Sequence, residues 1–174
     1  LDRQRVDAVA RILVEQDVAL ADLGVGIALL GQCDRNLRLG PLYPLGGRTA
    51  LGYGYPPREP GVQISTSRLA RIIDYPARDM TITAEAGLRM DHLAAALSAE
   101  RQQLPVDVAQ SQRATLGGAL ATNTSGPRRF GHGTLRDYVI GICAVDGRGR
   151  LFKAGGRVVK NVAGYDLGKL ISGS

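Results

Sequence analysis

Apolar and polar positions along this chain change period several times. Val6, Val9, Ala10 and Leu13 recur at helical spacing, which predicts an opening helix. Between residues 18 and 40 the pattern is broken by Gly24, Gly26, Gly31 and Gly40, so only helical fragments and turns are expected. Leu42 to Leu45 and Val62 to Ile64 read as short strands on either side of a glycine-rich stretch. Leu69, Ile72 and Ile73 suggest a helical turn that stops before Pro76. Met80, Ile82, Ala84 and Ala86 alternate with Thr81, Thr83 and Glu85, a strand with two unlike faces ended by Gly87. Met90, Leu93, Ala94 and Leu97 then mark an amphipathic helix of about four turns. Tyr138 to Val145, a turn at 146–149 and a return through Arg150 to Lys153 predict a hairpin, with Val158 and Val159 opening another extended piece. The fold class is α+β. A soft boundary at Tyr75-Pro76 divides it into two subdomains, 1–75 and 76–174.

Composition narrows the classes. The chain has 174 residues, 44% hydrophobic and 22% charged, enough for one domain with a real core. No apolar run is long enough to span a bilayer, and no basic-then-apolar leader opens the sequence, so a cytoplasmic protein without direct membrane insertion is expected. Cys33 and Cys143 form no CxxC, and with His92 and His132 the only histidines no metal constellation is expected. The net charge of +6 is carried almost wholly by arginine, lysine occurring only at Lys153, Lys160 and Lys169. Those arginines are dispersed and aromatics are sparse at 5%, which argues against nucleic acid and leaves an anionic small ligand.

Four segments hold candidate chemistry. Residues 44–56 read PLGGRTALGYGYP. Gly46 and Gly47 permit close backbone approach, successive amides can form an anion nest, and Arg48 and Thr49 add a charge and a hydroxyl. A plain tight connection explains the same residues. Residues 114–126, ATLGGALATNTSG, place Gly117-Gly118 in a small-residue run followed by Asn123, Thr124 and Ser125. That suits contact with a flat ligand or simply close helix packing. Residues 126–137, GPRRFGHGTLRD, carry His132 on a glycine-rich loop with no evident partner, and Arg136-Asp137 as a possible local ion pair. Residues 160–167, KNVAGYDL, run into Gly168-Lys169, which fails as a phosphate loop because Leu170 stands where a magnesium-binding hydroxyl is needed. Gly24-Val-Gly26 lacks the third glycine of a dinucleotide fingerprint.

Taken in order, these segments resemble FAD-binding domains of the vanillyl-alcohol oxidase or p-cresol methylhydroxylase (PCMH) type. Within that family they look most like FAD-binding subunits of glycolate oxidases. The resemblance runs from about residue 41 to the end and implies a two-subdomain PCMH-type fold, C-terminally incomplete, because relatives continue with a closing strand and a substrate cap. It implies that Gly46, Gly47, Arg48, Thr49 and Ala50 wrap the FAD pyrophosphate. Thr115, Leu116, Gly117 and Gly118 would approach from the other side, with Pro105 shaping the wall. Ala121, Thr122, Asn123 and Gly126 would line the flavin side. Gly131 and a strand through Arg136, Asp137, Tyr138, Val139 and Ile140 would lie along the cofactor. Lys160, Asn161 and Gly164 match a recurrent motif without an assigned contact.

Arg48 departs from the family, which usually has a third glycine there. The first loop holds no histidine for covalent attachment, so FAD is expected to bind non-covalently. The implied function is an FAD-dependent oxidoreductase component that oxidises 2-hydroxy acids to 2-oxo acids, with a second flavin subunit and an iron-sulfur subunit as partners. The alternative is a structural subunit of such a complex that keeps the fold but binds FAD weakly or not at all. No catalytic residue can be named.

Overall fold

A computed structural model describes residues 8–9, 11–14, 41–145, 149–156 and 167–173. The strands are β1 (Ala8–Val9), β2 (Arg11–Val14), β3 (Leu42–Leu45), β4 (Val62–Ser65), β5 (Ile72–Asp74), β6 (Thr81–Ala84), β7 (Gln102–Gln103), β8 (Val139–Val145) and β9 (Leu151–Gly155). The helices are α1 (Met90–Ala99), α2 (Leu116–Thr122), α3 (Arg129–His132), α4 (Leu135–Tyr138) and α5 (Leu167–Ile171), with a 3-10 turn at Ala77–Asp79. Among the described residues no helix is long and apolar enough to cross a membrane.

The main sheet has the order β5-β6-β2-β8-β9. Its centre is parallel, with β2 flanked by β6 and β8, and its edges β5 and β9 are antiparallel. This overturns the opening helix: Val9 and Leu13 lie in strands, while Val6 and Ala10 fall outside the described residues. A strand paired on both sides reads as a continuous apolar run, and Ile12-Leu13-Val14 satisfies that as well as it satisfies a helix. The helical turn expected from Leu69, Ile72 and Ile73 is overturned too: Ile72 and Ile73 lie in strand β5, and their β-branched side chains suit an edge paired with β6. In β6 the expected polar face is absent: Ile82, Thr83 and Ala84 are all buried, and Glu85 beyond it is too, because both faces of the central sheet are covered. Strands from both sides of Tyr75-Pro76 share this sheet, whereas among the described residues β3 and β4 pair only with each other, in parallel.

The core is built on Ile82, Leu93, Leu97, Leu116 and Leu135, each almost wholly excluded from solvent. α1 spans ten residues, under three turns rather than four; Arg101 in the left-handed region ends it before Pro105 is reached. Buried Glu85 fastens β6 to the start of β5, accepting the Arg71 amide at 2.7 Å and its guanidinium at 2.8 and 3.0 Å. The β8–β9 hairpin forms as its pattern implies, Gly141 opposite Gly155 and Val145 opposite Leu151.

Candidate cofactor site

β3 runs straight into the first glycine loop. The Leu45 carbonyl accepts both the amide and the hydroxyl of Thr66, at 2.9 and 3.2 Å, and so pins the loop's entry to the end of β4. Beyond it, a Cβ on Gly46 would overlap the Thr115 hydroxyl, and a Cβ on Gly47 would overlap the Arg113 carbonyl oxygen. The two small-residue segments, nearly seventy positions apart in the chain, therefore meet closely, Gly46 against the Thr115 side chain and Gly47 against the backbone at Arg113 and Ala114. Arg48 follows at φ 57°, the left-handed region that glycine adopts without cost. Among the described residues no acceptor takes the amides of Gly46, Gly47, Arg48, Thr49 or Ala50, although Gly46, Gly47 and Thr49 are only partly exposed. Partly buried donors without acceptors are what a bound oxyanion would satisfy.

The second segment is built differently. Leu88 and Ala86 carbonyls accept the Leu116 and Gly117 amides at 2.8 and 2.7 Å, and the Thr115 hydroxyl caps Gly118 at 3.3 Å. Three of the four orphan amides at the start of α2 are thus taken up inside the protein. Gly117 lies where a Cβ would come within 2.8 Å of the Ala86 Cβ. Leu116 is in the core. α2 is a wall behind the glycine loop, and the donors without acceptors among the described residues belong to the loop.

The remaining candidates form a second cluster at the far end of α2. Thr122 donates to the Gly118 and Ala119 carbonyls at 3.1 and 3.3 Å, and its hydroxyl lies 2.6 Å from that of Thr124. Asn123 closes the helix at φ 47°, and its side-chain oxygen accepts the Arg136 amide at 3.2 Å. Gly126 is at φ 66°, against Asp107. Ala121 and Gly131 are exposed, and Gly131 has open space where a Cβ would be. Pro105 is fully buried.

The strand expected from Arg136 to Ile140 begins only at Val139: Arg136, Asp137 and Tyr138 belong to α4. The cause is a capping box, in which Asp137 accepts the Thr134 amide and hydroxyl, both at 2.8 Å. Those bonds, the amide's first, hold the Asp137 carboxyl below its ordinary pKa. Asp137 is therefore hydrogen-bonded to Thr134, and Arg136, a possible local ion-pair partner in the sequence, adds only a lesser electrostatic attraction. The Tyr138 hydroxyl donates to the His132 carbonyl, and burial raises its pKa. Ile140 gives its carbonyl to Gly156 at 2.9 Å. Lys160, Asn161 and Gly164, together with Cys33, Val158, Val159 and the glycines between 24 and 40, lie outside the described residues.

Ser125, singled out in the sequence as a possible ligand hydroxyl, is buried and used inside the protein: it donates to the Asn123 carbonyl at 3.0 Å and accepts the Leu135 amide at 2.9 Å, fixing the turn into α4. One pair escaped notice in the sequence. The Arg128 guanidinium reaches Asp107 at 2.6 Å, and this bond depresses the Asp107 pKa. A separation of 21 residues leaves no local trace of that pair. Asp107 and Arg128 edge a cavity of about 640 Å³ between α1 and the 103–111 segment, lined also by Met90, Leu93, Val106 and Val108. It contains none of the glycine-loop residues.

Residues 35–155 match the family model described as an FAD binding domain. The chain belongs to that family. As an FAD binding domain it is 40% identical over 104 residues to glycolate oxidase subunit GlcE of Escherichia coli, covering 59% of this chain and 30% of that protein. It is 32% identical over 134 residues to glycolate oxidase subunit GlcD of Bacillus subtilis, covering 77% and 28%. It is 35% identical over 131 residues to a D-2-hydroxyglutarate dehydrogenase of Xanthomonas citri pv. viticola, covering 75% and 28%. The chain thus spans under a third of the length of these relatives. Among solved structures, an alkyldihydroxyacetonephosphate synthase shares the fold, with a TM-score of 0.60 and 24% identity over 76% of this chain and 24% of that one. The α+β class and the PCMH-type FAD-binding fold both hold.

Proposed function

We propose that this chain holds FAD non-covalently, as the cofactor-binding part of a cytoplasmic, glycolate-oxidase-type complex that oxidises 2-hydroxy acids to 2-oxo acids. The observation that carries the reading is the row of five amides from Gly46 to Ala50 that find no acceptor among the described residues, backed by Arg113 and Thr115. A diphosphate, whose oxygens accept several N–H bonds at once, is the kind of group such a row of donors would take. The segments around Asn123 and Gly126, and the start of β8, would border the remainder of the cofactor. FAD supplies the two-electron acceptor for the oxidation, and this chain contributes its position. With no His or Cys in the loop, the protein offers no covalent tether there. Names of relatives support the substrate class and a multi-subunit setting. In this reading a second flavin subunit and an iron-sulfur subunit would take the electrons onward.

The test is the visible spectrum of the purified full chain, with and without added FAD. Flavin bands that are released into the supernatant by acid precipitation are expected. A chain that shows no bands and gains none on reconstitution would defeat the proposal. Bands that stay with the precipitate would overturn only the non-covalent part.

A further inference from the structure

Arg48 is the one residue of the glycine loop that works against its own backbone. At φ 57° its Cβ crowds the neighbouring carbonyl, a cost that glycine at the same position would not incur. The side chain does nothing visible to offset that cost within the protein: it is exposed and has no hydrogen bond or ion pair among the described residues. Other left-handed residues here do find a use. Asn123, at φ 47°, gives its side chain to the Arg136 amide, and Met80 and Arg101 end a 3-10 turn and a helix. Arg48 instead sits at the centre of five amides that all lack acceptors among the described residues, with Gly47 held against Arg113 on one side.

We infer that Arg48 is a diphosphate-positioning residue. Its guanidinium would close over the oxyanion that the loop amides hold from below, adding charge-assisted bonds of a planar, two-pronged donor. The inference rests on the reading of the loop as an FAD site and goes beyond it by giving this side chain a contact. A charged clamp of this kind also makes cofactor affinity sensitive to ionic strength, which neutral amides alone would not.

The experiment measures FAD affinity of the full chain, of Arg48→Gly and of Arg48→Met, each at low and high salt, together with thermal stability without FAD. Arg48→Gly relieves the backbone and is expected to melt higher than the parent while binding FAD about tenfold more weakly. Arg48→Met keeps the strained backbone and loses the charge, and is expected to lose the same affinity without the gain in stability. In both variants the fall of affinity with salt should be shallower than in the parent. Unchanged affinity in Arg48→Gly would overturn the inference and leave the FAD site standing. Loss in Arg48→Met alone would overturn it as well, since affinity would then follow backbone geometry rather than charge. A parent chain that binds no FAD would overturn the site itself, and this inference with it.

Discussion

Gly47 lies against the carbonyl of Arg113, so close that a single methyl group cannot be accommodated. The contact joins the loop after β3 to the entry of α2, and both partners are backbone, so neither can swing aside. Gly47→Ala should therefore push the loop off its wall. Over-packing of this kind costs about 1–3 kcal/mol, and flavin uptake should fall with it. Gly52→Ala is the control: open space surrounds that position and the backbone there is not left-handed. Paired melting curves and FAD titrations should show the first variant destabilised and weakened, and the second unchanged.

Thr115 serves two neighbours. Its hydroxyl caps the Gly118 amide at 3.3 Å and lies against Gly46. Thr115→Val keeps the shape and removes the cap, so α2 should lose about 1 kcal/mol. Thr115→Ser should restore the cap. If the valine variant melts like the parent, α2 does not depend on this bond.

The parts of this fold that were legible are those whose signals are local. Leu42 to Leu45 and Val62 to Ser65 are short β-rich runs bounded by turns. The β8–β9 hairpin carries its own turn signal in the sequence at 146–149, and α1 its own stripe of Met90, Leu93 and Leu97. The elements that were misread owe their state to partners far away. β2 is extended because β6 and β8 pair with it on both sides, and Ile12-Leu13-Val14 cannot announce those neighbours. β5 has three residues, too few for any period to be recognised. The start of α4 was legible and missed, since Thr134 and Asp137 stand at capping-box spacing. At the site, the glycines declared that something comes close; that the something is Arg113 and Thr115 is a long-range fact that only the assembled chain shows.

Asn123 tests the second cluster. Its left-handed backbone ends α2, and its side chain holds the Arg136 amide at the entry of α4. Asn123→Gly keeps the backbone free of strain and removes the bond, whereas Asn123→Ala removes both advantages. The expected order of stability is Asn, then Gly, then Ala, with the alanine variant about 1–2 kcal/mol below the parent. Equal stability of the glycine and alanine variants, read from chemical denaturation, would show that the backbone conformation is not what the residue supplies.

Acid should loosen this end of the molecule first. The Thr134 amide and hydroxyl depress the pKa of Asp137, and the Arg128 guanidinium depresses that of Asp107. A carboxyl whose folded pKa lies below its unfolded value contributes stability that is fully present above the unfolded value, near pH 4, and is lost as pH falls through the folded one. The parent's melting temperature should therefore drop more steeply below about pH 4 than carboxylates without partners would require. Asp137→Asn, which cannot lose a charge there, should start lower at neutral pH and follow a flatter course in acid. The same holds for Asp107→Asn, with a smaller amplitude because the pair with Arg128 is open to solvent and screened by salt. Adding salt should shrink the Asp107 contribution and spare that of Asp137, whose leading cause is a hydrogen bond to backbone rather than a distant charge. Parallel acid profiles for the parent and Asp137→Asn would remove the capping box from the account of how α4 is held.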